Sequence, residues 1–395
     1  MSRIVVTGMG IISAIGNTVA ENRIALLEGR CGIVYQSQIP SKYADSLPFG
    51  EIKLSDEALK TKLDVTEPGT TRTSLLALHA FNEAVQNSGL SDHTLWQSDT
   101  ALIGASTVGG MCRTDELFAD ANSPEAATEY LGSYDYASPI LYLQKRYDMQ
   151  GIINTINTAC SSSANAIMMG ARLIKSGLAK RAIVGGADSL AKFTINGFNA
   201  LHILSPEICT PFDAGRRGLN LGEGAAFLVL EREEDALHKK IYASIAGYGN
   251  SSDSYHASSL SDNGEGPFLA MQSALETASL LPAAIDFINA HGTGTENNDL
   301  VESIAMQRLF QQPPPFASTK GNTGHTLGAA GAIEAVFSIL NLHGQELFPA
   351  LQFKNTIPET GLQPQNSYQQ TAIEHVMSNS FGFGGNCTSL IFSKA

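Results

Sequence analysis

The stretch INTINTACSSSANA, residues 153 to 166, changes character at its centre, from a run rich in β-branched residues to a tract of serine and alanine. The first part predicts a strand, and the continuation IMMGARLIKSG, residues 167 to 177, predicts a helix. Cys160 therefore falls in the first helical turn, where free backbone N–H groups and the helix dipole favour a thiolate. The serines at 161 to 163 are expected to cap this helix. A buried structural cysteine would produce the same local pattern, so other segments decide between these interpretations.

Strand-like and helix-like segments alternate along the whole chain, which indicates an α/β protein. A helix is predicted over Arg72–Ser88, where Leu75, Leu78, Phe81 and Val85 recur at helical spacing. The clearest predicted strands are RIVVTGMG (3–10), TALIGAS (100–106), RAIVGGAD (181–188) and GAAFLVLE (224–231).

Three segments of the first half are echoed in the second half. RIVVTGMG resembles ASIAGYG at 243–249, TALIGASTVGG at 100–110 resembles IDFINAHGTGT at 285–295, and the segment around Cys160 resembles residues 316–340. Two related halves that meet near residue 240 would explain these echoes, as would chance recurrence of glycine-rich α/β turns.

Composition limits the possible functions. The chain has 395 residues, 43% of them hydrophobic and 16% charged, which favours a large folded core over disorder. A net charge of −13 argues against general nucleic-acid binding. No run approaches the roughly 18 apolar residues of a membrane span, and the start does not resemble a signal sequence, so the cytoplasm is the predicted location. Five scattered cysteines without a CxxC pair predict reduced thiols rather than disulfides or a zinc ribbon.

VTGMGIISAIG, residues 6 to 16, has two glycines after a strand but Ser13 at the third position of a dinucleotide-binding GxGxxG pattern. No acidic residue follows at the end of a second clear strand about 20 residues on. We therefore expect a tight strand-to-helix turn here, and no nucleotide site.

Two further segments carry reactive side chains beside glycines. His291 follows the apolar run IDFI and opens a Gly-Thr turn, while Lys320 and His325 lie in STKGNTGHTLGAAG, residues 318 to 331. The tail SNSFGFGG, residues 378 to 385, surrounds Phe383 with glycines whose backbone N–H groups are free to face a ligand. Because α/β folds gather active sites on loops at sheet ends, these side chains are expected to meet Cys160.

TACSSS, HGTGT, KGNTGHTLGAAG and NSFGFGG, in this order, resemble the motifs of the β-ketoacyl-acyl-carrier-protein synthases, the acyltransferases of fatty-acid and polyketide (including polyene-like) assembly. The resemblance extends nearly end to end and includes VVTGMG, LGEGAAFLVLE and GNSSDSYH. It implies a thiolase-like α/β fold of duplicated halves in five αβαβα layers with mixed β-sheets. The N-terminal half would comprise residues 1–240 with the cysteine, and the C-terminal half residues 241–395 with both histidines and the GFGG loop.

The resemblance also implies roles for individual residues. Cys160 would be the nucleophile that receives the acyl chain, with the backbone N–H groups of Cys160 and Phe383 as its oxyanion hole. His291 and His325 would stabilise the enolate formed when malonyl thioester loses CO2.

Supporting roles follow from the same resemblance. Lys320 would fix His325, Glu334 would be the carboxylate partner of Lys320, and Thr293 with Thr295 would hold the pantetheine arm. The Phe383 ring would gate access to the acyl pocket.

The resemblance implies no organic cofactor and no metal, since the substrates arrive on the phosphopantetheine of an acyl carrier protein. It implies a homodimer, or a heterodimer with a related ketosynthase-like subunit. An acidic carrier needs local positive surface, for which the candidates are Lys60, Lys62, Arg72, Lys145, Arg146 and Arg216. The chain departs from the family at Asn386 and Cys387, where Thr-Asn is usual, and its segment 200–213 is short, which leaves substrate choice open.

Several alternatives stay open. A coenzyme A-dependent thiolase would need a second catalytic cysteine, for which Cys387 lies beside the expected pattern. Initiating synthases carry asparagine where this chain has His325, and non-catalytic chain-length partners lack the nucleophile. The chain could be the active subunit of a heterodimer with such a partner. Zinc bound to Cys160, His291 and His325 would need a fourth ligand.

Overall fold

A computed structural model describes residues 3–35, 39, 41–122 and 128–395. The strands, β1 to β14 in chain order, are Ile4–Ser13, Ile33–Val34, Phe49–Gly50, Thr100–Ala105, Ile153–Ile156, Arg181–Asp188, Gly224–Arg232, Ala243–Ser252, Phe287–Asn289, Phe316–Ala317, Glu346–Leu347, Gln369–Gln370, His375–Phe381 and Asn386–Ser393. The helices, α1 to α12, are Val19–Leu27, Asp56–Leu63, Arg72–Ser88, Asp92–Leu95, Thr114–Ala121, Ser138–Arg146, Ser162–Lys175, Lys192–Ala200, Glu265–Ala278, Glu296–Phe310, Lys320–Thr323 and Ala330–Gly344.

The main sheet repeats one topology twice. Its order is β10-β9-β13-β14-β8-β1-β7-β6-β4-β5. From β1 outward the pairings are antiparallel, antiparallel, parallel and parallel, and the same sequence runs outward from β8. Each set of five strands is thus a mixed sheet with the same connectivity, which confirms the duplicated halves.

The two sets are joined where β1 and β8 pair over only three residues, Ile4–Val6 against Ala243–Ile245. α3 covers β1, β7 and β6, and α9 covers β8 and β14 on the other outer face. Between the sets lie α7 and α12, each of which contacts strands from both. The arrangement is the predicted five-layered α/β fold.

Of the two central helices, α12 carries few polar groups because it is buried along almost its whole length, whereas α7 exposes Arg172 and Lys175 near its end. The apolar stretch Leu327–Gly344 is long and hydrophobic enough by length and composition to cross a membrane, yet 89% of it is buried inside the protein. It is therefore the core helix of this fold, although the sequence had suggested no run of such length. Glycine makes the contact between the two helices possible: a Cβ on Gly331 would lie 2.7 Å from the Ala164 backbone nitrogen.

The predicted elements agree with the structure in most places. The helix Arg72–Ser88 and all four predicted strands are confirmed. The three echoes fall on structurally equivalent pairs: β1 with β8, β4 with β9, and the β5–α7 segment with the β10–α12 segment. One expectation was wrong: Gly8 and Gly10 lie inside β1 and not in a turn. Glycine is needed there because α3 packs too closely on this strand to leave room for a side chain.

Candidate active site

Cys160 lies in a tight turn just before α7, not in its first turn as predicted. The helix begins at Ser162, and Ala159 adopts a left-handed φ of 54° that turns the chain sharply out of the strand region. The Cys160 side chain is buried at the bottom of this turn.

The serines do not cap the helix as expected, because their hydroxyls have other partners. Ser161 Oγ lies 2.8 Å from both the Thr158 carbonyl oxygen and Asn386 Oδ1, and its single proton is shared between these two acceptors. Ser162 Oγ donates to the Ala159 carbonyl and accepts from the Thr158 N–H, which closes the turn. Ser163 Oγ accepts from the Ala332 N–H of α12 and so links the two central helices. The serine run therefore holds the turn that carries Cys160, called the nucleophile turn below for the role that the resemblance implies, in place.

His325 points one ring nitrogen at the thiol. Its Nε2 lies 3.1 Å from Cys160 Sγ, and its Nδ1 accepts the Leu327 backbone N–H at 3.1 Å. An imidazole nitrogen that accepts a backbone N–H carries no proton, so the proton of the neutral ring is on Nε2. His325 is therefore a hydrogen-bond donor toward the sulfur.

Lys320 contacts His291, which corrects the expectation that it fixes His325. Its buried ammonium lies 3.3 Å from His291 Nδ1, donates to the His291 carbonyl at 2.6 Å, and forms an ion pair with Glu334. Because the ammonium can only donate, His291 Nδ1 accepts and the ring's proton is on Nε2. The turn between β10 and α12 brings Lys320 under the neighbouring strand end, which explains why its partner is not the histidine nearest in sequence.

The thiol and both imidazoles converge. One ligand-type atom from each of Cys160, His291 and His325 lies within 4.8 Å of the others, and the two rings are 5.4 Å apart between centroids at an angle of 84°. Burial lowers the pKa of both histidines well below its usual value, and the Lys320 charge lowers it further. Both rings are therefore neutral near pH 7.

The expectation of a low thiol pKa was wrong for this structure. Burial raises the pKa of Cys160 to about 11, although the Phe383 backbone N–H and the Lys320 charge act to lower it. The cysteine precedes the helix and is only 5% exposed, so desolvation outweighs the helix end.

A cavity of about 400 Å³ leads to the three groups. Thr293 and Thr295 belong to its wall, with their hydroxyls 2.9 Å apart. Phe383 also lines it, stacked on Phe198 of α8 with ring centroids 5.7 Å apart. An extended polar arm thus has a route to the sulfur.

Sequence reasoning missed two buried carboxylates on α10. Glu302 accepts the backbone N–H groups of His291 and Gly292, and Asp299 accepts those of Thr293 and Gly294. These bonds fix the turn that carries His291. Two acidic residues three positions apart in the first two turns of a helix, four and seven residues after HGTGT, are the sequence signal that could have revealed them.

Three of the six predicted basic docking residues, all of them arginines, are engaged within the chain. Arg216 is buried and donates to the Thr295 and Glu296 carbonyls, while Arg72 pairs with Asp56 and Glu223. Arg146 pairs with Glu67. No ion pair is formed by Lys60, Lys62 or Lys145 within the described ranges, and exposed Arg217 lies in the cavity wall.

Cys387, considered as a second catalytic cysteine, is buried in an apolar cluster with Leu260, Val301 and Phe381. It does not line the cavity that holds Cys160. Its placement therefore disfavours the two-cysteine chemistry of a thiolase.

The thiol and two imidazoles are also groups that bind zinc. Three ligands of this kind could hold a catalytic ion with an open position, whereas a structural site would need a fourth. In the part of the chain that is described, the cluster contains no fourth histidine, cysteine or carboxylate. The absence of a metal remains a prediction, and metal analysis of the purified protein tests it.

Comparisons with known proteins identify relatives over the entire chain. The family described as Beta-ketoacyl synthase, N-terminal domain, matches residues 1–236, and Beta-ketoacyl synthase, C-terminal domain, matches residues 242–354. The mitochondrial 3-oxoacyl-acyl-carrier-protein synthase of Arabidopsis thaliana is 32% identical, with 99% of this chain and 93% of that protein covered.

Two solved structures are similar throughout. The ishigamide ketosynthase/chain length factor has a TM-score of 0.94 at 29% identity, covering 100% of this chain and 99% of that one. The ketosynthase ApeO of Xenorhabdus doucetiae, in complex with its chain length factor ApeC, has a TM-score of 0.88 at 32% identity, covering 100% and 98%.

Proposed function

Because the chain belongs to the β-ketoacyl synthase family and is a β-ketoacyl-acyl-carrier-protein synthase of fatty-acid or polyketide synthesis, we propose that Cys160, His291 and His325 perform its decarboxylative condensation. As in the family, the substrates arrive on acyl-carrier-protein phosphopantetheine, without a free cofactor. The observation that carries the residue assignment is the convergence of the three groups within 4.8 Å at the end of one cavity.

The first half-reaction moves the acyl chain to Cys160. The sulfur attacks the thioester carbonyl, the carbonyl oxygen takes negative charge, and the backbone N–H groups of Cys160 and Phe383 stabilise it. The carbon–sulfur bond to pantetheine then breaks, and the thiol proton passes in net terms to the departing pantetheine sulfur. His325 Nε2–H, 3.1 Å from Sγ, stabilises the thiolate as a donor; with its proton on Nε2 it is not placed as a base.

The second half-reaction uses the imidazole pair. When malonyl thioester loses CO2, the electrons of the broken carbon–carbon bond move toward the thioester oxygen. Two neutral rings with Nε2–H facing the cavity donate to this oxygen as the charge develops. The resulting carbanion attacks the acyl carbonyl on Cys160, and the thiolate leaves. Lys320 keeps the His291 proton on Nε2 and is held by Glu334.

The experiment compares wild type, Cys160→Ala and Cys160→Gln with malonyl-carrier and acyl-carriers of graded length. Wild type should release CO2 and form an acyl adduct detectable by mass spectrometry. Cys160→Gln should lose condensation but keep decarboxylation, because the imidazole pair is intact. Wild type without adduct and without CO2 would refute the assignment.

Dimer formation through β5 is supported by the sheet edge. Among the described residues, β5 pairs with β4 alone and ends the strand order; exposed Ile152 directly precedes it, and exposed Leu141 belongs to α6, which contacts β5. The partner at this sheet edge is a second copy of the chain or, as in the complex of ApeO with ApeC, a chain length factor. Mass measurement of the chain expressed alone separates the two: a homodimer supports the first, and a monomer that assembles only with a partner supports the second.

The cytoplasm is the proposed location. All five cysteines are free, which suits a reducing compartment. The Arabidopsis thaliana relative is named mitochondrial, so cell fractionation tests this point.

A further inference from the structure

Behind the nucleophile turn, polar side chains from two separate segments of the chain, residues 161–165 and β8, share one acceptor. Asn386 Oδ1 accepts Ser161 Oγ–H at 2.8 Å, Asn165 Nδ2–H at 2.9 Å and Asn250 Nδ2–H at 2.9 Å. These donors belong to the turn before α7, to α7 and to β8. One amide oxygen thus ties both halves of the protein to the residue next to Cys160.

The main chain of Asn386 holds the opposite side of the site. Its carbonyl accepts the Gly382 N–H at 2.8 Å, and Gly382 directly precedes Phe383. Gly382 is packed against the nucleophile turn: a Cβ there would lie 2.7 Å from the Thr158 carbonyl oxygen and 3.2 Å from the Cys160 nitrogen. Asn386 therefore contacts the segments that carry both N–H groups assigned to the oxyanion hole.

We propose that Asn386 is a positioning residue that sets the spacing between the Cys160 and Phe383 N–H groups, and thereby controls acylation. The proposal rests on the function assigned above to those two groups. A neutral oxygen suits the position, since it accepts three converging donors without placing a negative charge beside the forming oxyanion. A carboxylate there would oppose that charge.

The imidazole pair is held by different contacts. His325 is oriented by the Leu327 N–H, and His291 by Lys320 and Glu302. No hydrogen bond joins Asn386 to either ring among the residues the structure describes. Loss of the Asn386 oxygen should therefore slow acylation and spare decarboxylation.

The test measures the two half-reactions separately. Cys160 acylation from acyl-carrier is followed by quenched mass spectrometry, and CO2 release from malonyl-carrier is followed in a Cys160→Gln background. Asn386→Ala should slow acylation about ten- to a hundredfold and change CO2 release by less than about twofold. Asn386→Thr keeps one side-chain oxygen. It should also slow acylation more than CO2 release, but by a smaller factor than Asn386→Ala. Asn250→Ala removes one of the donors to the Asn386 side chain and should likewise slow acylation more than CO2 release, but less than Asn386→Ala does.

Thermal unfolding of each variant monitors the fold. If Asn386→Ala does not fold, the proposal is tested by the acylation and CO2-release rates of Asn386→Thr. Equal losses in both half-reactions, or wild-type acylation in the folded variants, would overturn the proposal. Cys160→Gln that releases no CO2 with Asn386 intact would instead refute the imidazole roles of the proposed function, a result distinct from the Asn386 split.

Discussion

The two strand-to-helix segments that build the active site, β5–α7 and β10–α12, share a topology but differ in their connections. The first reaches its helix within five residues, 157–161, and carries the thiol. The second takes twelve, 318–329, and in that space adds the short α11 and His325. Their helices meet directly, through the Ala332 N–H bond to Ser163.

The difference shows how one duplicated frame serves two kinds of chemistry. The short connection strains the backbone at Ala159 and presents a nucleophile held by hydroxyl groups. The long connection buries the Lys320–Glu334 ion pair beneath His291 and sets His325 against a backbone N–H. Under the proposed roles, the first segment supplies the attacking sulfur, and the second supplies His325 and the Lys320 that contacts His291 for stabilisation of the developing charge.

Removing the buried cation should have the largest effect, and only in the second segment. Lys320→Met leaves the Glu334 carboxylate buried without its partner, and we expect the free energy of unfolding at pH 8 to fall by about 3–5 kcal/mol. Urea titration measures this loss. Lys175→Met, at the exposed end of α7 in the first segment, should change it by less than about 0.5 kcal/mol.

The double variant Lys320→Met/Glu334→Gln removes both charges and should regain most of that stability. Its decarboxylation should stay low, because His291 Nδ1 has lost its donor. Full recovery of both properties would mean that the ion pair has no role in orienting His291.

His325→Ala should separate the two segments kinetically. Loss of one donor to the enolate oxygen is expected to slow decarboxylation by about 10²–10³. Acylation of Cys160 should fall by about tenfold or less, since it loses one hydrogen bond to sulfur. CO2 release measures decarboxylation, and adduct formation measures acylation. Equal losses in both would contradict the proposal that the two segments serve different half-reactions.

Gly331→Ala should disturb the contact between the helices. Its Cβ would lie 2.7 Å from the Ala164 nitrogen and 2.9 Å from the Ala164 Cβ, so the helices must separate, at a cost of about 1–3 kcal/mol in unfolding free energy. Gly132→Ala is the matched control, because its Cβ would meet no atom within 4 Å. Similar denaturation curves for both variants would show that α7 and α12 can move apart to accept the extra methyl group at little cost in stability.

The smallest expected effect is that of the Lys320–Glu334 pair on the rate at which the Cys160 thiol is alkylated. With a Cys160 pKa of about 11, the alkylation rate should rise about tenfold per pH unit between pH 8 and 10. The Lys320 charge lowers this pKa more than Glu334 raises it, so the Lys320→Met/Glu334→Gln variant should react more slowly at pH 8, by less than about tenfold. Timed iodoacetamide labelling measures the rate, and faster labelling would contradict the sign.

Much of this site could be predicted from the sequence because its reactive residues lie at recognisable strand ends. A change from strand-like to serine- and alanine-rich sequence pointed to Cys160, glycine-rich turns pointed to His291 and His325, and the family resemblance implied their roles. The echoes between the halves anticipated the repeated topology. The thiol pKa could not be predicted, since it depends on enclosure by residues far away in the chain. The partner of Lys320 and the carboxylates of Asp299 and Glu302 depend on how turns fold over neighbouring strands, which spacing alone does not give.

The apolar helix enclosed between the two sheets has a consequence for biosynthesis. This segment is as apolar as a membrane-spanning helix, and it packs against strands of both halves, so it cannot be fully enclosed until the N-terminal half has folded. Neither half expressed separately is expected to remain in solution, and chemical denaturation of the intact chain should proceed in a single cooperative step.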